Sequence, residues 1–106
     1  MDTNYTDCAK TFKAFCDENR LRILEMLRGG EKCACVLIEQ LGIAQSALSY
    51  HMKILVESSI VQSTQQGKWT HYRISEQGST RAMRMLSELT ALEFPAPPAP
   101  DCCTHA

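Results

Sequence analysis

The chain has 106 residues, 44% of them hydrophobic, which suits a single domain with one modest core and argues against a two-domain enzyme. Its formal net charge of −1 excludes a protein that coats nucleic acid through a basic surface on all sides. A DNA-binding face would therefore depend on uneven placement of charge. Between residues 44 and 75, the cations Lys53, Lys68 and Arg73 stand against a single acid, Glu57. The middle of the chain is therefore mildly positive on a slightly acidic protein.

The start of the chain has neither the cationic residues nor the apolar run of a secretory signal, and no later segment is apolar for long enough to cross a bilayer. We therefore expect a cytoplasmic protein with no membrane partner. The cysteines are Cys8, Cys16, Cys33, Cys35, Cys102 and Cys103. In a reducing compartment they favour free thiols, metal ligands or redox chemistry over structural disulfides.

Helical periodicity dominates the first half of the chain. Apolar residues recur at helical spacing over residues 6–15, and Asp17 is a candidate N-cap for a second helix that ends at Gly29. A short helix over residues 35–41 and another over 43–55 are separated by a single glycine turn. Two short helices joined in this way predict a helix-turn-helix.

The pattern becomes strand-like after the fourth helix. Residues 60–64 and 69–74 read as two strands divided by a polar tip at 65–68, which predicts a β-hairpin. A final amphipathic helix is predicted over residues 76–94. The sequence thus predicts a mainly α fold with a β-hairpin, a winged helix-turn-helix in the order α-α-α-α-β-β-α.

This domain is expected to comprise residues 1–94 and to carry both DNA binding and dimerisation. Residues 95–106 are proline-rich at first, so they should form a flexible, extended tail that ends near Cys102 and Cys103.

One side of the fourth helix carries amide, hydroxyl and lysine side chains of the kind that contact base edges and phosphates in the DNA major groove. They are Gln45, Ser46, Ser49, Tyr50 and Lys53. The hairpin tip adds Gln66, Lys68 and Thr70, which could reach the neighbouring backbone or minor groove as a wing. Together these residues favour binding to double-stranded DNA over a merely solvated surface.

Four blocks of the chain resemble the ArsR/SmtB family of metalloregulatory repressors. Residues 15–24 resemble its LADPTRLRIL signature, and 31–37 its ELCVCDL metal box. Residues 44–55 are similar to its recognition helix SQSTVSHHLKVL, and 67–74 to its wing strand GRWVYYRL. The resemblance extends from about Thr6 to Leu92. It departs from the pattern at Val36, where the box has aspartate, and at residues 58–60, where the family has AGL.

The resemblance implies a homodimeric winged helix whose first and last helices form the dimer contact. It also implies a repressor that occupies an inverted-repeat operator and dissociates when As(III) or Sb(III) binds cysteine thiolates, controlling an arsenic-resistance operon. Cys33 and Cys35 supply two sulfurs, and drawing them together would strain the start of the following helix. The third sulfur would come from Cys8, from Cys102 or Cys103, or from an exogenous thiol, and the Cys102-Cys103 pair could also be a separate site.

Two other signals fit the same fold. Zn(II) or Cd(II) could be the inducer if a fourth ligand were available, and the cysteine pairs could instead sense thiol oxidation. An enzyme is not expected, because the chain lacks a phosphate loop and any Ser/His/acid or Cys/His arrangement at plausible spacing.

The remaining cysteine and histidine candidates are expected to have structural roles and not to bind an ion. We expect Cys16 to be a small buried residue, His51 to pack behind the fourth helix, and His71 to be simply exposed on the wing strand.

Overall fold

The computed structural model describes residues 4–94 together with 98 and 99. The helices are α1 (Tyr5–Phe12), α2 (Glu18–Leu27), α3 (Ala34–Leu41), α4 (Gln45–Glu57) and α5 (Glu76–Thr90), with a short 3-10 turn at Lys13–Phe15. The strands are β1 (Lys32–Cys33), β2 (Val61–Gln66) and β3 (Trp69–Ile74). The predicted order of five helices around a hairpin is confirmed, with β1 as an additional strand. Among the described residues, no helix has the length and apolarity needed to span a membrane.

Polar side chains mark most of the helix starts. Asn4, Asp17 and Ser75 each accept a hydrogen bond from a backbone N–H in the first turn of α1, α2 and α5, and the thiol of Cys33 does the same for α3. The start of α4 differs, because Ala44 occupies its N-cap position and provides no side-chain acceptor. The first N–H groups of α4 are therefore left for another partner.

One apolar core lies between the helices and the sheet. Its buried members are Ala14, Ile23, Leu27, Leu37, Leu48, Met52, Leu55, Ile60, Val61 and Ala82. Each of α2, α3 and α4 contributes an inward stripe at helical spacing, as the periodicity predicts. The core therefore fixes which side of α4 faces outward.

The sheet has three antiparallel strands in the order β1-β3-β2. The hairpin turns at Gly67, whose φ of 64° suits a tight two-residue turn. Strand β1 pairs with the far side of β3, so that Cys33 lies opposite His71. The sequence predicts only the hairpin, because a two-residue strand has too few positions to show a periodic pattern.

Several local expectations were wrong. Cys16 is exposed, since it ends the 3-10 turn instead of continuing α1 into the core. Leu21, whose place in the helical apolar pattern of α2 predicts an inward side chain, is 49% exposed. Helix α5 ends at Thr90, before the predicted Phe94, because Ala91 takes an extended backbone with ψ of 128°.

Helices α1 and α5 pack against each other beside this core. An ion pair joins Asp7 of α1 to Arg81 of α5. The two helices leave an apolar groove, lined in part by Phe12, Phe15 and Leu86, on the outside of the described chain. The predicted apolar stripes are thus only partly used in the intrachain core.

Candidate DNA-binding face and dithiol site

The outer side of α4 collects the residues predicted to contact DNA. Gln45, Ser46, Ser49, Tyr50 and Lys53 are all exposed, and Tyr50 projects with 58% of its surface accessible. The opposite side of the helix is anchored in the core by apolar residues. The fold therefore presents one continuous polar helix face, with the uncapped N–H groups of its first turn at one end.

Beneath α4 a polar network joins this helix to α2. Arg20, only 5% exposed, lies with Nη1 3.1 Å from Nδ1 of His51 and donates through Nη2 to the carbonyl of Lys13 at 3.1 Å. Asp17 lies 3.8 Å from the same His51 nitrogen. Burial alone would raise the pKa of Asp17. The backbone N–H groups of Arg20 and Asn19 donate to its carboxylate, and the nearby Arg20 and His51 side chains add to this effect, so the pKa of Asp17 is lowered. The network orients α4 from below.

The wing places its predicted residues less uniformly. Gln66 and Lys68 are exposed at the hairpin end, whereas Thr70 is half-buried and its hydroxyl donates to Gln65 at 2.8 Å. The amide of Gln66 donates to the carboxylate of Glu31 at 3.5 Å. This hydrogen bond joins the wing tip to the segment that precedes the cysteine pair.

The two box cysteines are adjacent at the start of α3. Cys33 is the N-cap: its sulfur accepts from the N–H of Cys35 at 3.4 Å, and the Cys35 thiol donates to it at 2.7 Å. The Cys35 hydrogen bond lowers the pKa of Cys33, assisted by backbone N–H donors, and the same bond raises the pKa of Cys35. Cys33 is therefore the better nucleophile and metal ligand of the pair.

The two cysteines are close enough to share one ion. Two sulfurs on one tetrahedral zinc, each about 2.3 Å from the metal, lie about 3.8 Å apart. The sulfurs of Cys33 and Cys35 are in contact, so rotation of the two side chains can bring them to that separation.

In the part of the chain that the structure describes, no third sulfur lies beside the pair. Among the described residues, no three Cys, His, Asp or Glu side chains form a ready-made metal cluster. Cys8 is buried in α1, with 9% of its surface exposed. Cys102 and Cys103 lie outside the described residues, so their predicted role stays a prediction.

Sequence reasoning missed two residues near the pair. His71 is not simply exposed: its side chain is 23% accessible, it lies across the sheet from Cys33, and its Nδ1 is 3.6 Å from the carboxylate of Glu31. The only signal in the sequence was the position of Glu31 two residues before Cys33. The pairing of β1 with β3 joins residues about 40 positions apart, which local patterns do not reveal.

The profile described as "Bacterial regulatory protein, arsR family" matches residues 17–63. The arsenical resistance operon repressor of Bacillus subtilis (strain 168) is 34% identical over 93 residues, covering 87% of this chain and 86% of that protein. The chain belongs to the ArsR family. The Escherichia coli (strain K12) protein of the same name is 38% identical, covering 73% of this chain and 67% of that protein.

Solved structures of ArsR-like proteins share the architecture. The ArsR-like transcriptional regulator from Rhodococcus sp. RHA1 superposes with a TM-score of 0.72 at 28% identity, covering 82% of this chain and 80% of that one. As an ArsR-family member with this winged helix-turn-helix, the protein is a DNA-binding transcriptional repressor and not an enzyme.

Proposed function

We propose that the protein is a homodimeric repressor that leaves an inverted-repeat operator when As(III) or Sb(III) binds the thiolates of Cys33 and Cys35, and that it controls an arsenic-resistance operon. One observation carries the proposal: Cys33 caps α3 with a sulfur of lowered pKa, 2.7 Å from the sulfur of Cys35. Relatives named as arsenical resistance operon repressors support the choice of ion.

The binding chemistry is ligand exchange without oxidation or reduction. Arsenous acid carries three hydroxyl groups on As(III). Each As–S bond that forms replaces one As–O bond, and the thiol proton leaves with the hydroxyl as water. Cys33 and Cys35 account for two such exchanges. The third sulfur is proposed to come from Cys102 or Cys103 of either subunit, from Cys8 if α1 moves, or from an exogenous thiol.

The thiol pair is connected to both DNA-contacting elements. Cys33 ends β1, which pairs with the wing strand β3, and it begins α3, which contacts α4. An ion bound by the two sulfurs therefore acts on both the wing and the support of α4. By linkage, an ion that prefers the displaced conformation weakens DNA binding by the same factor by which DNA weakens ion binding.

On DNA, α4 is proposed to lie in the major groove. Gln45, Ser46, Ser49 and Tyr50 would face base edges, while Lys53 and the free N–H groups of the first turn would contact phosphates. Lys68, Gln66 and Thr70 would follow the adjacent backbone or minor groove.

The dimer is proposed to form through α1 and α5. Met83 is 62% exposed, Leu86 55% and Leu89 44%, and these side chains continue the apolar groove of Phe12 and Phe15. A second copy would bury this face, and an inverted repeat in DNA requires the two α4 helices of the dimer to lie about 34 Å apart, one turn of DNA. Leu86→Glu should convert the dimer to a monomer in light scattering, with Leu92→Glu, beyond α5, as the matched control.

The decisive experiment measures DNA release under reductant. Duplexes that bind are first selected from a random library by the untreated protein, and fluorescence anisotropy then follows their release by arsenite, antimonite, Zn(II) and Cd(II). Release by arsenite that disappears in Cys33→Ser/Cys35→Ser, but persists in the exposed-thiol control Cys16→Ser, supports the proposal. Release that is lost only in Cys102→Ser/Cys103→Ser would place the sensor in the tail and contradict it.

The acidified thiol of Cys33 beside Cys35 also favours a second candidate, a repressor released by thiol oxidation. Two thiols would lose two electrons and two protons to an oxidant such as diamide and form a disulfide. Release by diamide in the absence of any ion, reversed by dithiothreitol, distinguishes this candidate from the metalloid sensor.

A further inference from the structure

The side chain of His51 lies beside two oppositely charged residues of α2. Its Nδ1 accepts a hydrogen bond from Nη1 of Arg20 at 3.1 Å, and the carboxylate of Asp17 lies 3.8 Å from the same nitrogen. His51 is 7% exposed and Arg20 5%, so water contributes little to this contact. The nitrogen can accept from the guanidinium or, once protonated, donate to the carboxylate, but it cannot do both at the same time.

We propose that His51 is a positioning residue for α4, and that protonation of its ring releases the protein from DNA. With Nδ1 unprotonated, the contact with Arg20 holds α4 against α2. With Nδ1 protonated, the ring is a cation beside the guanidinium and turns to Asp17 instead. The proposal concerns DNA binding by the winged helix-turn-helix and does not rest on the cysteine pair or on any ion bound there.

The Arg20 guanidinium is fixed in place on its other side. Its Nη2 donates to the carbonyl of Lys13 at 3.1 Å, and its buried Nε has no hydrogen-bond partner among the described residues. Burial removes the water that would screen two neighbouring cations, so a proton on His51 sets like charges against each other at short range. The contact between α2 and α4 at this point therefore changes from attractive to repulsive.

Asp17 supplies the alternative partner because it keeps its charge. Although burial alone raises the pKa of Asp17, backbone N–H donors in the first turn of α2 lower it overall, so the carboxylate stays ionised where histidine gains a proton. Histidine ordinarily changes charge between about pH 5 and 8. Strand β2 has no titratable residue, and those of α3 and the 3-10 turn, which also pack against α4, are exposed: Lys13, Cys35 and Glu39. Asp17 and Arg20 are thus the ionisable groups of neighbouring elements that face His51.

Movement of the His51 ring reaches the DNA-binding face through Tyr50. The two rings meet edge to face, with centroids 5.3 Å apart and planes inclined by 65°. Tyr50 is 58% exposed on the outer side of α4, among the side chains proposed to face bases. A ring that turns toward Asp17 gives up this packing, so Tyr50 loses the support that fixes its position.

The expected sign is opposite to that of general electrostatics. A lower pH adds positive charge to a protein and ordinarily strengthens its attraction to DNA phosphates. Protonation of His71 on the wing strand would act in that ordinary direction. A loss of DNA affinity on acidification that depends on His51 therefore does not come from net charge.

The test measures DNA affinity by fluorescence anisotropy between about pH 5.5 and 8, the range in which histidine titrates. It uses the full-length protein under reductant at constant ionic strength, without added metal or metalloid, and a duplex selected by the untreated protein. Wild-type affinity should fall about tenfold across this range, since one proton taken up on release lowers affinity tenfold for each pH unit below the titration midpoint. His51→Asn places a non-titrating acceptor, Oδ1, at the position of Nδ1 and should change by less than about threefold.

The chain has three histidines, so the other two provide matched controls. His71→Asn and His105→Asn should keep the loss of affinity at low pH. Asp17→Asn retains a side-chain cap for α2 but removes the charge, and it should shift the loss to lower pH. Wild-type affinity that is constant or rises on acidification would overturn the proposal, as would a wild-type pH profile in His51→Asn.

Two measurements on the wild type keep the test independent of how well a variant folds. The far-ultraviolet circular dichroism of the helices should stay constant over the same pH range, because release through unfolding would contradict a positioning role. Proton–nitrogen correlation spectra of histidine-labelled protein report the protonation of each ring nitrogen directly. Nδ1 of His51 should gain its proton over the range in which DNA affinity falls, and titration outside that range would refute the switch.

Discussion

The side chain of Arg20 donates to His51 from below the recognition helix α4, with 3.1 Å between Nη1 and Nδ1. Because arginine has donors only, Nδ1 of His51 is the acceptor of this hydrogen bond. The contact joins α2, which carries the family signature, to the helix that faces DNA. It explains why a histidine lies on the inner side of α4.

Replacement of His51 should therefore destabilise the protein. His51→Ala leaves the buried Arg20 guanidinium without one of its acceptors, and we expect the free energy of unfolding to fall by about 2–3 kcal/mol. Lys53→Ala, on the exposed side of the same helix, should change it by less than about 0.5 kcal/mol. Urea denaturation followed by circular dichroism measures both, and equal values for the two variants would contradict the role of this contact.

Helix α5 packs closely against the turn before β2 because Gly78 has no side chain. A Cβ at Gly78 would lie 1.7 Å from the carbonyl oxygen of Ser59, which is backbone and cannot rotate away. Gly78→Ala should lower the free energy of unfolding by about 2–3 kcal/mol or more. Gly29→Ala is the control, because its nearest neighbour is the flexible Lys32 Nζ at 3.7 Å, and it should be close to neutral. Equal melting temperatures for Gly78→Ala and Gly29→Ala would refute this account.

The same turn contains a strained residue. Ser59 adopts φ of 68°, a left-handed conformation that costs a non-glycine residue about 1–2 kcal/mol. Ser59→Gly should therefore stabilise the protein by about 0.5–1 kcal/mol, after the greater entropy of glycine in the unfolded chain is deducted. Ser58→Gly should do the opposite, since the buried Ser58 hydroxyl donates to Leu55 at 2.8 Å. Chemical denaturation of the pair gives the sign directly.

The acidity of Cys33 should depend on its neighbour. Cys35→Ala removes the main donor that lowers the pKa of Cys33, so this pKa should rise and its alkylation by iodoacetamide should shift to higher pH. Cys35→Ser retains a hydroxyl donor and should shift the profile less. Both are measured with Cys16, Cys102 and Cys103 replaced by serine. A profile for Cys35→Ala that coincides with the parent would show that Cys35 does not tune the thiol.

A side chain that caps the start of α4 should raise the stability of the protein and weaken its binding to DNA. Ala44→Asp would cap the first turn and stabilise the protein by about 1 kcal/mol, but it would also occupy the N–H groups and oppose phosphate. We expect DNA affinity to fall at least tenfold at low salt. Ala44→Ser provides the cap without the charge and should lose less affinity. Unchanged anisotropy titrations for Ala44→Asp would mean that this helix end does not face DNA.

The sequence by itself determined the helices, the hairpin and the family. These follow from local rules: apolar spacing defines each helix face, Asp17 and Ser75 mark helix starts, and Gly67 permits the turn. The adjacency of Cys33 and Cys35 was equally visible, because two residues at this spacing cannot lie far apart. Such features need no knowledge of the rest of the chain.

Only the tertiary structure decided what surrounds the cysteine pair. Strand β1 forms because its two residues pair with the free edge of β3. This pairing places His71 opposite Cys33 and beside Glu31. The burial of Arg20 and the close approach of Gly78 to Ser59 likewise depend on how distant elements pack. Periodicity and spacing describe neighbours along the chain, whereas these contacts join segments that only folding of the whole core brings together.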